Sequence, residues 1–216
     1  MLRRLSFLFL VSILCEAHAA STYPDADAFL RQFRVGTESK DYVIETTQAE
    51  NATPHYPTSL FGVSLRRRSD DGGCRLFVLE LDRAGHASLA AMSPSFEIYA
   101  DAHYGAGWVE TIEAQSNDKF SIDFHQETTY GPIISTYQFE RIAGQWRVTG
   151  LTYEDPEPMN ADPRYTKGFM ADFVQGRVTY QKLRDGKVIS SKQRAKSFPV
   201  FPLSEFIPFD DRYQVK

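Results

Sequence analysis

The chain has 216 residues, with 24 Lys and Arg against 28 Asp and Glu and a formal net charge of −4. That length fits one domain, or one domain with an appended element, and is enough to bury a sizeable core. The mildly acidic balance, on a chain that reads as exported, argues against nucleic acid as a partner.

Residues 1–20 read as a secretory signal peptide. Arg3 and Arg4 form a positive n-region, Phe7 to Leu14 an apolar core, and Ala17-His18-Ala19 supplies the small residues of a cleavage site. The apolar core is too short to anchor in a bilayer, so no transmembrane segment is expected in the mature chain. Ser6 departs from a twin-arginine signal and Leu14 from a lipobox at Cys15, so ordinary secretion to a periplasmic or extracellular address is expected. Residues 21–216 then form a single exported β-rich domain, with 164–216 as a C-terminal hairpin and extended tail.

Thr22 to Asp25 suits a helix start, with Thr22 as cap and Pro24 and Asp25 in the first turn. Phe29, Leu30 and Phe33 share one face of an amphipathic helix that Gly36 ends. Asp41 to Thr47 is a β-branched strand, and the Pro-containing stretch from Glu50 to Ser59 is a loop carrying the sequon Asn51-Ala52-Thr53. Leu60 to Leu65 and Cys74 to Leu81 form a hairpin around Ser69 to Gly73, edged by Arg66, Arg67 and Arg68. The second of these strands is apolar on both faces and is expected to be central. Removal of Cys15 leaves Cys74 without an internal disulfide partner, and its apolar setting predicts burial. His86 to Met92 reads as one or two helical turns.

From Phe96 to Tyr153 four strand-like runs follow one another, with Phe120, Ile122 and Phe124, then Tyr137 and Phe139, then Trp146 and Val148 at alternate positions. Alternate side chains on a strand point to opposite faces, so this is an antiparallel meander with one buried and one wet face. Ser116 to Asp118 and Ala143 to Gln145 are tight turns. Gly168 to Val174, Gly176 to Arg184 and Lys187 to Ser191 resume the pattern, with Asp185-Gly186 as a hairpin turn because both positions tolerate positive φ. The tail from Phe198 to Phe209 alternates Pro with apolar residues and is expected to lie extended over the body. The fold class is therefore mainly β: an antiparallel sheet or meander closing as a sandwich or open barrel, with one N-terminal amphipathic helix.

Two residue sets are candidates for function. Tyr99, Asp101 and His103 alternate on one predicted strand, and Asp123, His125 and Glu127 on another. Imidazole and carboxylate at this spacing can ligate Zn²⁺ or Cu²⁺ or act as acid and base, so Asp101, His103, Asp123 and His125 are weak metal candidates. Alternating polar residues are also what any solvent-facing strand displays. There is no Gly-x-Ser-x-Gly elbow and no phosphate-binding loop, so no cofactor is assigned.

The second set is the basic hairpin, where Arg177, Lys182, Arg184 and Lys187 surround Asp185-Gly186 with Tyr180 among them. Residues 164–196 hold nine bases against two acids, while residues 97–162 hold twelve acids against three bases. Such asymmetry marks either a partner surface or two segments that neutralise each other. With Tyr99, Tyr104, Trp108, Tyr130 and Tyr153 as aromatic anchors, the sequence reads as an exported, non-enzymatic binding protein of the inhibitor or immunity kind, facing a protein or the envelope surface. The alternative is a small hydrolase or metal-dependent enzyme built on the Asp and His residues.

Overall fold

The computed structural model, which describes residues 22–32, 42–48, 56–66, 74–96, 107–158, 162 and 164–213, gathers the period-two runs into two antiparallel sheets. The first contains β1 (Thr22–Tyr23), β2 (Tyr42–Gln48), β3 (Thr58–Arg66), β4 (Arg75–Leu81) and β5 (Ala87–Met92), in the order β1-β5-β4-β3-β2. The second is an up-and-down series in plain chain order: β6 (Gly107–Ser116), β7 (Lys119–Gln126), β8 (Ile133–Ile142), β9 (Gln145–Asp155), β10 (Tyr165–Asp172), β11 (Arg177–Arg184) and β12 (Lys187–Ala195). The predicted meander is β6 to β9. Two predicted turns have a left-handed backbone: Ala143 and Gly144 between β8 and β9, at φ 50° and 80°, and Asp185 and Gly186 between β11 and β12, at φ 48° and 73°.

β4 is central and apolar on both faces, and each face serves a different layer. Leu76 and Val78 join Phe61, Val63 and Cys74 in a core shared with Phe120, Ile122, Phe124, Phe139 and Val148 of the second sheet. The core is built on stacked rings, with Phe120 lying 4.6 Å from both Phe61 and Phe139. On the other face, Phe77 and Leu79 pack against Phe29 of the helix α1 (Ala26–Gln32). The order of layers is thus helix, small sheet, large sheet. Gly62 on β3 stands directly opposite Phe77, whose ring lies where a Cβ would be. Only glycine lets that ring lie flat on the sheet beneath the helix.

Two local expectations are corrected. The helix is capped by Asp25, whose Oδ1 accepts the Ala28 N–H at 2.7 Å, while Thr22 belongs to β1. Residues 87–92 are strand, paired with β4 and β1, because the half-buried edge of the small sheet overrides the helical propensity of an Ala-rich stretch. Cys74 is buried, as its surroundings predicted. The signal peptide, Phe33, Gly36, the sequon, Arg67, Arg68, the loop at 69–73, Tyr99, Asp101, His103 and Tyr104 lie outside the described residues.

The large sheet is wider than the small one, and its β9–β11 side is covered instead by the segment from Phe198 to Tyr213. β10 pairs with β9 only from Gly150 to Asp155, which leaves the start of β9 with a vacant edge. The tail takes that edge: Val148 N–H donates to Phe201 C=O at 2.9 Å, and Arg147 Nη1 donates to Val200 C=O at 3.1 Å. Single 3-10 turns at Leu203–Glu205 and Asp211–Tyr213 then fold it down onto the aromatic inner face. Phe206 meets Tyr137 and Phe139 edge-on at 5.0 and 4.9 Å.

Candidate functional site

Directly opposed residues in an antiparallel sheet share a face, so the register places side chains in rows across β7 to β12. One row runs Phe124, Ser135, Tyr153, Phe169, Tyr180, Lys192. The next runs Ile122, Tyr137, Leu151, Ala171, Val178, Arg194. A third contains Asp155, Lys167, Lys182 and Ser190. These rows lie on the inner face, apolar where core or tail covers them and cationic toward β12.

Between the tail and this face is a cavity of about 590 Å³. Its floor is Tyr137, Leu151, Tyr153, Phe169 and Tyr180, and its far wall is Phe209 and Tyr213 from the tail. Tyr153 and Phe169 stack against each other across the two strands at 5.1 Å with nearly parallel planes, forming one aromatic block in the floor. Gly168 beside this pair admits close approach of β9, because a Cβ there would meet the Tyr153 carbonyl oxygen at 2.6 Å. Phe209 is held in a left-handed backbone conformation at φ 61°, a costly one for a bulky residue, and its ring is 38% exposed.

The charged groups in the lining are few: Asp155, Lys167 and Asp210. Asp155 Oδ2 and Lys167 Nζ are 3.1 Å apart, with Glu157 Oε2 3.4 Å from the same ammonium. The hydrogen bond to Asp155 raises Lys167 above the usual lysine value despite partial desolvation. Asp210 lines the tail side. Burial would raise its carboxyl, but hydrogen bonds from the Arg212 side chain and backbone outweigh that and hold it below the usual carboxylate value. Burial also pushes the phenols of Tyr137 and Tyr213 well above the usual tyrosine value. The Tyr213 hydroxyl has no hydrogen-bond partner among the described residues.

Four residues of the basic hairpin, Tyr180, Lys182, Arg184 and Lys187, fall by register on the inner face. Tyr180 lines the cavity. Arg177 lies on the opposite face, 3.7 Å from Asp172. Lys182 and Arg184 approach the Tyr165 ring at 4.7 and 5.6 Å, and Arg184 is 3.8 Å from Asp185. The charge asymmetry is partly cancelled inside the molecule, through Lys167 with Asp155 and Glu157 and through Arg164 with Asp162. Lys182, Lys187, Lys192 and Arg194 make no ion pair among the described residues.

Of the Asp and His set, Asp123 and His125 lie at alternate positions of β7, and His125 Nδ1 is 4.0 Å from Glu110 Oε2. Among the described residues no three His, Cys, Asp or Glu side chains are grouped to hold a metal ion. Asp101 and His103 are not described, so these four residues are not placed together. The cavity escaped the sequence reading because it requires the order of four strands and the landing site of the tail. Its only sequence signal is the run of aromatic residues at inward positions of β8 to β11.

No family model matches the chain, no curated protein matches its sequence and no solved structure matches its fold.

Proposed function

We propose that the chain is an exported, non-enzymatic binding protein that takes a largely apolar small molecule between its large sheet and its tail. The observation that carries this reading is the aromatic cavity. Its volume of about 590 Å³ falls within the roughly 300–1,000 Å³ common for small-molecule sites, and its lining is largely aromatic with a few charged and polar groups, as is usual for such sites. Tyr153 and Phe169 offer a stacked aromatic pair against which a flat or chain-like ligand can pack, and Phe209 lines the same cavity from a strained backbone. Export rests on the leader-like pattern of residues 1–20.

The alternative of a hydrolase or metal enzyme rests on Asp123 and His125, with Glu110 4.0 Å from the His125 ring. The binding reading is tested with a neutral fluorescent apolar probe, N-phenylnaphthylamine. The wild type should enhance its emission saturably, and Phe169→Ala should weaken that binding while retaining the far-ultraviolet dichroism of the fold. Absence of saturable binding by the folded wild type overturns the proposal.

A further inference from the structure

The ligand's polar end can be read from the side of the cavity that faces β12. The row containing Tyr153 and Phe169 continues through Tyr180 to Lys192, and the row containing Leu151 continues through Val178 to Arg194. Arg194 reaches back over the Tyr180 ring at 5.7 Å, and Tyr180 itself lines the cavity. Lys182, one row along, stands directly across from Lys167. The aromatic floor therefore ends in Lys182, Lys192 and Arg194 on a single face. These three have no carboxylate within ion-pair distance among the described residues, unlike Lys167, Arg164 and Arg177.

Every residue of β12 is exposed, so Lys192 and Arg194 are hydrated and accessible, while Lys182 on β11 is half-buried beside the Tyr165 ring. Cationic side chains at strand edges also discourage pairing with other chains. That role is indifferent to which face a cation occupies and does not require the cations to continue the rows of the aromatic floor.

Resting on the cavity reading, we infer that the ligand is an anionic amphiphile. Its apolar part packs against the stacked Tyr153–Phe169 pair, and its phosphate, sulfate or carboxylate head meets Lys182, Lys192 and Arg194. The charge arrangement selects the sign of the head. Asp155 and Glu157 are already engaged with Lys167, which leaves the remaining cations to face an incoming anion. Arg194 supplies a planar fork suited to an oxyanion, and the two lysines supply point charges.

The test uses the mature chain at low salt and three probes, each titrated as monomer against bound N-phenylnaphthylamine: decyl phosphate, decyltrimethylammonium and inorganic phosphate. Decyl phosphate should displace the dye about ten-fold more tightly than the cationic amphiphile, since three exposed charge contacts together amount to roughly one decade in affinity. The preference should shrink as salt is raised and vanish in a Lys182→Gln, Lys192→Gln, Arg194→Gln variant that still binds the neutral dye. Inorganic phosphate should displace nothing. Equal displacement by both amphiphiles overturns the anionic head while leaving the cavity reading intact. A charge preference that survives in the triple variant overturns the assignment to these residues. Failure of the wild type to bind the dye at all removes the cavity reading itself.

Discussion

The Tyr137 hydroxyl accepts the backbone N–H of Phe209 at 2.8 Å, across 72 residues of sequence. This bond pins the tail to the middle of the large sheet at the point where the cavity wall turns. It also satisfies a backbone group that the left-handed conformation of Phe209 would otherwise leave without an acceptor there. Replacing Tyr137 by Phe keeps the ring among Phe124, Phe206 and Tyr213 and removes only the acceptor. The variant should lose about 1–2 kcal/mol, the usual consequence of orphaning a partly buried donor. The urea midpoint should fall, and amide exchange at Phe209 should accelerate while that of β7 and β8 keeps its order. An unchanged midpoint and unchanged exchange would show that the bond does not hold the tail.

Alkaline stability follows from the same tyrosine and its neighbour. Burial raises the phenols of both Tyr137 and Tyr213, and for Tyr137 it outweighs the opposing effect of the N–H donated by Phe209. Below about pH 10 these groups are protonated in folded and unfolded chains alike, so they give stability no pH dependence. Above it the unfolded chain loses protons that the folded one keeps. Stability should then fall by up to about 1.4 kcal/mol per pH unit for each tyrosine. Urea denaturation at stepped alkaline pH should give a shallower slope for Tyr137→Phe than for the wild type.

Among the described glycines, Gly62 leaves the least room for a Cβ. An added Cβ would run into the Phe77 ring, which is fixed from above by Phe29 at 5.1 Å. Gly62→Ala should cost about 1–3 kcal/mol, as overpacking does in a filled core. The double variant Gly62→Ala, Phe77→Leu should recover part of the loss relative to the sum of the single changes, because the two side chains compete for one space. Strictly additive effects in denaturation would refute the contact.

An ion pair joins the two sheets: Arg141 Nη1 on β8 lies 2.7 Å from Glu80 Oε1 on β4. Both side chains are largely shielded, at 33% and 19% exposure, so salt should weaken this pair less than a fully exposed one. Glu80→Gln should lower stability by about 1 kcal/mol, with most of the effect persisting at high ionic strength. Loss of the effect in salt would place the pair among ordinary surface contacts.

Much of the architecture was legible because strands write themselves locally. Phe120, Ile122 and Phe124 announce a buried face by spacing alone, and Asp185-Gly186 announces its turn by the backbone it tolerates. Residues 87–92 were illegible for the opposite reason. Ala87 to Met92 has weak local preference, and only its partners on β4, distant neighbours until the hairpin closes, make it a strand. The site was harder still. Tyr153 and Phe169 each look like ordinary inward residues, and nothing in their own segments says that they stack or that Phe209 comes to line the same cavity. The basic hairpin was visible as composition, and alternation along β11 separates Arg177 from Lys182, but which of the two faces turns inward depends on the packing of the sheet. The bulge between Lys182 and Leu183 further alters which β12 residues stand opposite them.

The tail that walls the cavity has a kinetic consequence. A chain that emerges N-terminus first can zip β6 to β12 hairpin by hairpin, each pairing with the strand just made. The aromatic inner face of β8 to β11 must then wait, uncovered, for residues 198–213 to arrive. Contacts such as Phe206 with Phe139 close a long loop, and long-range closure is slow compared with local pairing. During that interval the nascent domain presents a sheet of exposed rings. The vulnerable stage in this protein's maturation is therefore the one just before its tail lands, when any apolar molecule in the surroundings competes with Phe206 and Phe209 for the same surface.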